Sequence, residues 1–193
     1  SGPNVMVGYR NNPKANEEVF FMKDGKRFFR TGDLGRMIEG KFLKITGRIK
    51  EQFKLENGKY VVPAPLEDAI TRSQFIAQSF MHGENKPFTA VLIVPDPIEV
   101  PAWAAKNGLE GMPMAELIKE QKIVDLLQKE LVAACGVLKS YERPKKWTLI
   151  SEPFSPDNQM LTPKMSLRRA NILAAYGKQV EDMFAGEGGR DVH

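Results

Sequence analysis

The stretch Thr31-Gly32-Asp33-Leu34-Gly35 runs on through Gly40-Lys41-Phe42-Leu43-Lys44-Ile45-Thr46-Gly47-Arg48-Ile49-Lys50 to Leu55-Glu56-Asn57-Gly58-Lys59-Tyr60-Val61-Val62-Pro63. An acid in a glycine-flanked turn leads to a short alternating strand, a Gly-Arg corner and a hairpin. The Asn57-Gly58 tip suits the positive φ that tight hairpins require. Everything before this stretch reads as loops and short strands, and everything after it as a sheet with helices.

Upstream, Val5, Val7 and Tyr9 alternate until Asn11-Asn12-Pro13 breaks the pattern. Asn12 is placed to cap a short helix through Phe20, with Pro13 at its first position. Lys23-Asp24-Gly25-Lys26 reads as a tight turn. Strands are expected at 27–30 and 41–46, joined through a turn at Glu39-Gly40.

Downstream, 53–55 and 59–62 form the arms of the hairpin, and Pro63 and Pro65 lead into a helix over 66–73. Residues 75–82 and 88–94 read as paired strands, the second a β-branched run, Thr89-Ala90-Val91-Leu92-Ile93-Val94. Helical periodicity covers 98–107, 113–120 and 121–135. A last strand at 146–150 precedes an irregular loop over 151–162. A closing helix over about 166–184 is followed by a polar, glycine-rich tail, expected to be disordered from about 186. The fold class is α+β, divided into a β-rich segment 1–49 and a sheet-and-helix domain 50–193.

The composition narrows the classes of function. With 42% apolar and 27% charged residues the chain is an ordinary globular protein with ample core material. The net charge of +4 comes from lysines and arginines dispersed among acids, which describes a solvated mixed surface. The aromatics Phe53, Tyr60 and Trp147 read as core and rim, not as a nucleic-acid stripe. Cys135 is the sole cysteine, so no internal disulfide forms, and it lies at the buried end of a helix, away from any base that would activate it. No apolar run reaches the roughly 18–20 residues of a membrane span. His82 and His193 lack neighbours at metal-ligand spacing, Gly35 and Gly40 form no dinucleotide fingerprint, and no Gly-x-Ser-x-Gly elbow occurs. The opening Ser1-Gly2-Pro3, without methionine, reads as a piece cut from a longer chain.

Four positions in the opening stretch invite chemistry. The Asp33 carboxylate can accept hydrogen bonds from both hydroxyls of a ribose, although Thr-Gly-Asp alone is a common turn sequence. Arg48 offers a fork of donors to ribose or phosphate oxygens, or to a surface carboxylate. Gly58 lets backbone approach a ligand closely, or simply makes the turn. Lys50 is an exposed polar residue next to the change in character. Near the end, Leu161-Thr162-Pro163-Lys164-Met165-Ser166-Leu167-Arg168-Arg169 places a lysine ahead of a basic pair.

This order of motifs resembles the adenylate-forming acyl-CoA synthetases, in particular the long-chain fatty-acid CoA ligases. The resemblance is strongest from Gly2-Pro3-Asn4-Val5-Met6 to Pro63-Ala64-Pro65-Leu66-Glu67. The 61–67 segment and Tyr141-Glu142-Arg143-Pro144-Lys145-Lys146 look like the long-chain branch. It covers the whole chain but only the last third or so of a typical member. It implies that 1–49 is the end of a large adenylate-binding domain, and that 50–193 is a small mobile lid with a mixed sheet and flanking helices. It implies that Asp33 and Arg48 bind the nucleotide, that Lys50 is the hinge, and that the Gly58 hairpin lines the pantetheine channel. ATP, Mg2+ and coenzyme A are the implied cofactors and fatty acid the substrate. The implied setting is the cytoplasm, with peripheral membrane association left open and no nucleic-acid partner.

The family's adenylation lysine falls, by ungapped count from Leu161, on Ser166. Lys164 lies two residues earlier, and in an extended segment it faces the same side, about 6.5–7 Å away. Either Lys164 replaces that lysine, which is the reading adopted for the catalytic residue, or the lysine is missing. The second alternative leads to a non-catalytic binding module, and aryl, short-chain and acyl-AMP ligases share the same back end. The family's phosphate-binding loop and acyl tunnel lie outside this chain. Residues 1–193 alone are therefore expected to form no acyl-CoA from fatty acid, ATP and coenzyme A; detectable product from the isolated chain would contradict this.

Overall fold

A computed structural model describes residues 1–192; His193 lies outside the described residues. The chain forms two compact units, Ser1–Lys50 and Glu51 onward. In chain order the elements are α1 (Pro13–Val19), β1 (Phe20–Lys23), β2 (Lys26–Phe29), β3 (Asp33–Ile38), β4 (Phe42–Arg48), β5 (Phe53–Lys54), β6 (Tyr60–Val61), α2 (Pro63–Ile70), β7 (Ile76–His82), β8 (Thr89–Pro95), α3 (Glu99–Lys106), α4 (Met114–Leu117), α5 (Gln121–Cys135), β9 (Pro144–Leu149), α6 (Arg169–Ala185) and β10 (Arg190–Asp191).

In the first unit, Asn12 caps α1 through its side-chain oxygen, which accepts from the Ala15 amide at 3.1 Å. Asp24 and Gly25 both take positive φ, 51° and 70°, and turn β1 into β2. The alternating segment at Val5–Tyr9 is not a strand. Its backbone is satisfied by side chains instead: Asn16 pairs with both the amide and the carbonyl of Tyr9, and Arg27 donates to the carbonyls of Met6 and Val7. The partner of β4 is β3, which begins at Asp33 and was not expected as a strand. Glycines at 32 and 35 hid it, because glycine depresses strand propensity. Each of residues 1–50 is exposed or half-buried, and Met37, Phe42, Leu43 and Ile45 on this hairpin are exposed apolar side chains.

The second unit is built on a mixed four-stranded sheet in the order β10-β9-β8-β7. β7 and β8 are antiparallel; β8 and β9 are parallel, and their connection carries α3, α4 and α5. All seven residues of β8 are buried, which explains its continuous apolar run: a central strand covered on both faces has no solvent side to alternate with.

Alternate residues feed two cores. Met81, Val91, Ile93, Trp147 and Leu149 pack with Leu66 and Ile70 of α2, Leu127 and Leu131 of α5, and the hairpin residues Phe53, Leu55 and Val61. Phe80, Leu92 and Val94 point the other way, onto Ile172, Val180 and Met183 of α6 and the loop residues Phe154, Met160 and Leu161.

Residues 186–192 of the tail are structured, contrary to the expectation from its composition; His193 lies outside the described residues. Gly186, at φ 78°, ends α6, and β10 then pairs antiparallel with β9, Arg190 opposite Trp147. The Val192 amide donates to the Lys145 carbonyl at 3.0 Å, Lys146 pairs with Asp191, and the Arg190 guanidinium lies over the Trp147 ring. This short strand covers an otherwise open sheet edge beside a fully buried tryptophan.

His82 closes β7 among Phe53, Phe80 and Phe184. Burial lowers its pKa below the ordinary value of 6.5; Glu84 and Glu181 oppose that shift, and Lys86 and Arg169 add to it. A depressed histidine pKa means that the unfolded chain binds more protons in that window. The contribution is complete above the ordinary value and is lost as pH falls below it. The melting temperature of the chain should drop between about pH 7 and pH 5, and His82→Phe should reduce that drop. An unchanged pH profile in the variant would contradict this assignment.

Candidate functional site

Asp33 is the first residue of β3, directly opposite Arg48 at the end of β4, and not the centre of a turn. The turn precedes it, at Gly32 with φ 78°, and the Asp33 amide donates to the Thr31 hydroxyl at 3.1 Å. The Arg48 Nε lies 3.3 Å from the Asp33 Oδ1, so the two residues that the sequence singled out 15 positions apart form one ion pair. Their side chains are 30% and 66% exposed for Asp33 and Arg48, leaving carboxylate oxygens and guanidinium donors open to a ligand.

Lys50 is the last residue of the first unit and sits in a single 3-10 turn, Ile49–Glu51, with its side chain exposed. The Ile49 amide just before it is anchored to the Gly32 carbonyl at 2.8 Å.

The Gly58 hairpin has short arms, with Phe53 opposite Val61 and Lys54 opposite Tyr60. Gly58 has φ 84° and donates its amide to the Leu55 carbonyl at 2.9 Å. A Cβ there would meet only the Lys54 side chain, at 3.9 Å, so the backbone conformation and not crowding calls for glycine. The hairpin is held to the β7–β8 turn by the Asn85 amide on the Lys54 carbonyl and the Glu56 amide on the Lys86 carbonyl.

Lys164 is not in an extended segment. The Met165 amide donates to the Thr162 carbonyl at 2.8 Å, closing a β-turn with Pro163 and Lys164 at its centre. Thr162 and Ser166 then pair: the Thr162 amide donates to the Ser166 carbonyl at 2.8 Å, and the Ser166 amide to the Thr162 hydroxyl at 3.2 Å. Leu161 and Leu167 form a bridge beneath them. Lys164 is therefore exposed at the tip and Ser166 is tied into one leg, so the two positions are not equivalent. This turn also delays α6, which starts at Arg169.

Behind the turn lies a group that the sequence reading passed over. Glu67 on α2 is buried, and its carboxylate accepts from the Met81 amide at 2.7 Å. It also accepts from Arg169 Nη1 at 2.9 Å and Nη2 at 2.6 Å. Burial pushes the Glu67 carboxyl above the ordinary carboxylate range, while Arg169 and the Met81 amide oppose that by holding the ionised form. An acid within the otherwise apolar face of α2 was the available signal; its partner, 102 residues away, was not. Cys135 is buried at the end of α5, and burial pushes its thiol up to about 11, which leaves no thiolate at neutral pH.

The geometry brings Asp33 and Arg48 together in the first unit. In the second unit, the Gly58 hairpin roots in the core on one face of the sheet and the Lys164 turn in the core on the other. An exposed ion pair contributes at most about 1 kcal/mol. Asp33→Asn should accordingly leave the melting transition within a few degrees of wild type; a large drop would mean that Asp33 holds the hairpin together.

Comparison with known proteins shows which family the chain belongs to. Residues 50–188 match the family described as AMP-binding enzyme C-terminal domain. Long-chain-fatty-acid–CoA ligase 5 of Mus musculus is 36% identical over 186 residues, covering 95% of this chain and 27% of the relative. Long-chain-fatty-acid–CoA ligase 6 of Homo sapiens is 34% identical over 187 residues, covering 95% and 26%. The chain thus spans about a quarter of the length of these relatives. Among solved structures, the adenylation domain of a carboxylate reductase from Mycobacterium chelonae superposes with a TM-score of 0.74 at 27% identity, covering 93% of this chain and 26% of that one. On the strength of the matched residues and the shared fold, the chain belongs to the AMP-binding enzymes and carries their C-terminal domain.

Proposed function

We propose that this chain is the closing part of a long-chain fatty-acid CoA ligase. In this reading the parent enzyme joins a fatty acid to AMP at the expense of ATP, releasing pyrophosphate. The thiol of coenzyme A then attacks the activated carbonyl and expels AMP. The first unit is the end of the large adenylate-binding domain, and its exposed apolar hairpin at Met37, Phe42, Leu43 and Ile45 suits packing against further protein. Residues 50–193 are the lid, with Lys50 as the hinge.

One observation carries the two-step reading. The Gly58 hairpin and the Lys164 turn root in opposite faces of one sheet. A lid that must serve two reactions at one site needs two different tools, each presented by a different orientation of the same rigid body. Lys164 is the tool for the first step, placing an ammonium against the negative charge shared by the carboxylate and the α-phosphate. The Gly58 hairpin is the tool for the second, its backbone at Gly58 lying against the pantetheine arm. Asp33 accepts from the ribose hydroxyls and Arg48 donates to ribose or phosphate oxygens. Magnesium would accompany ATP, where it would offset the phosphate charge.

The long-chain assignment is supported by relatives at 30–37% identity that are named as such. The similar structures include carboxylate reductase and O-succinylbenzoate coenzyme A synthetase, so an acid of another class is the alternative substrate. Chain length is selected by a pocket outside these residues.

The test uses the parent protein and measures fatty-acid-dependent pyrophosphate release. Lys164→Ala should lower the rate by about 10²–10³-fold, the scale for removing one preorganised charge-stabilising donor. Thioester formation from supplied acyl-AMP should persist, and Ser166→Ala should leave both steps near wild type. Gly58→Val should show the opposite pattern, losing thioester formation and retaining adenylation. If Lys164→Ala releases pyrophosphate at the wild-type rate, the lysine assignment fails; no fatty-acid-dependent pyrophosphate from the wild-type parent would favour the non-catalytic alternative.

A further inference from the structure

The segment 154–169, which carries the Lys164 turn, is fastened at both ends to the same strand. At its start, Gln78 of β7 makes a reciprocal pair with Phe154. The Gln78 Nε2 donates to the Phe154 carbonyl at 2.9 Å, and the Phe154 amide donates to the Gln78 Oε1 at 2.7 Å. At its end, Arg169 forks onto Glu67, which itself holds the Met81 amide of β7. The Arg169 Nη1 also reaches the Met81 carbonyl at 3.4 Å, and its guanidinium lies over the Phe80 ring.

β7 is the outer strand of the sheet, and outer strands carry a row of backbone groups without strand partners. Here the Met81 amide and carbonyl are served by a carboxylate and a guanidinium instead. Glu67 comes from the helix on one face and Arg169 from the helix on the other, so the pair wraps the sheet edge.

Between the two fastenings the legs of the loop bond to each other. The Arg168 amide donates to the Met160 carbonyl at 2.8 Å, and the Asn171 side chain to the Gln159 carbonyl at 2.7 Å. Ser155 and Asn158 exchange side-chain and backbone bonds at the foot. Such a loop is tied along both legs, with Lys164 exposed at its tip.

We infer that Glu67, Arg169 and Gln78 are positioning residues for the adenylation step, holding the legs of the turn so that Lys164 is presented in one place. The inference rests on the reading of Lys164 as the adenylation lysine. The pair touches neither substrate nor nucleotide; it acts through the loop. A shift of about 1 Å in a reacting group can cost on the order of 10²-fold in rate, which sets the scale of the effect.

The experiment measures both half-reactions of the parent protein in Gln78→Ala and Arg169→Lys, each with and without Lys164→Ala. Arg169→Lys keeps the charge and loses the fork; Gln78→Ala attacks the other end of the loop without disturbing a buried charge. Thermal melts confirm that each variant is folded. Each positioning variant should lower the kcat of adenylation about 10- to 100-fold, within the scale set above. The KM for ATP and the thioester step should stay within about two-fold of wild type. In the Lys164→Ala background neither change should lower adenylation further, because the group they position is gone. Equal losses in both half-reactions, or a loss that persists without Lys164, would overturn the inference in favour of a structural role. Wild-type adenylation in both positioning variants, with Lys164→Ala inactive, would overturn it alone. Wild-type adenylation in Lys164→Ala would overturn the reading beneath it.

Discussion

The ion pair between Glu67 and Arg169 is the constraint on which the second unit turns. A carboxylate this deeply buried is costly unless it is paired and hydrogen-bonded, and here Arg169 and the Met81 amide supply three donors. Buried pairs of this kind contribute little net stability over a well-packed apolar substitute, yet breaking one costs roughly 3–5 kcal/mol. Arg169, the first residue of α6, meets Glu67 from that position and ties the start of the helix to α2 and β7. The loop ahead of the helix therefore ends at a residue that is itself fastened to the sheet edge.

The sheet supplies the other half of the arrangement. Because β8 is buried on both faces, the unit has two cores instead of one, and each core roots a different surface feature. The Gly58 hairpin stands on Phe53, Leu55 and Val61, and the Lys164 turn on Met160 and Leu161. Under the proposed two-step reading, a rigid body with two distinct faces serves one site in two ways by rotating, and the proposed hinge at Lys50 would permit that. Nothing in this scheme needs the sheet to deform.

Much of this was legible in the sequence because the deciding signals were local. Asn12 before Pro13, Asn57-Gly58 between two apolar arms and the run Thr89–Val94 each set their own backbone within a few residues. Three features were not local, and a fourth was a local turn read as extended chain. Strand β3 is disguised by Gly32 and Gly35, and only its pairing with β4 makes it a strand. The tail owes its order to the open edge of β9, which no glycine-rich stretch announces. Ser166 and Lys164 looked interchangeable under an extended geometry, but the Thr162–Met165 turn separates a tip from a leg. The Glu67–Arg169 pair is invisible without the fold, since it joins elements 102 residues apart. The signature residues were read as chemistry and the residues that hold them were overlooked, which is the usual consequence of reading motifs one segment at a time.

The central claim is that the loop bearing Lys164 is preorganised, and amide hydrogen exchange tests it most directly. The account predicts that the amides of Met81, Leu161, Thr162 and Arg168 exchange orders of magnitude more slowly than an unstructured chain, because each is bonded within the clamp. Exchange of Met81 and Arg168 at unstructured rates would mean that the legs are open in solution and that Lys164 is presented by a flexible loop.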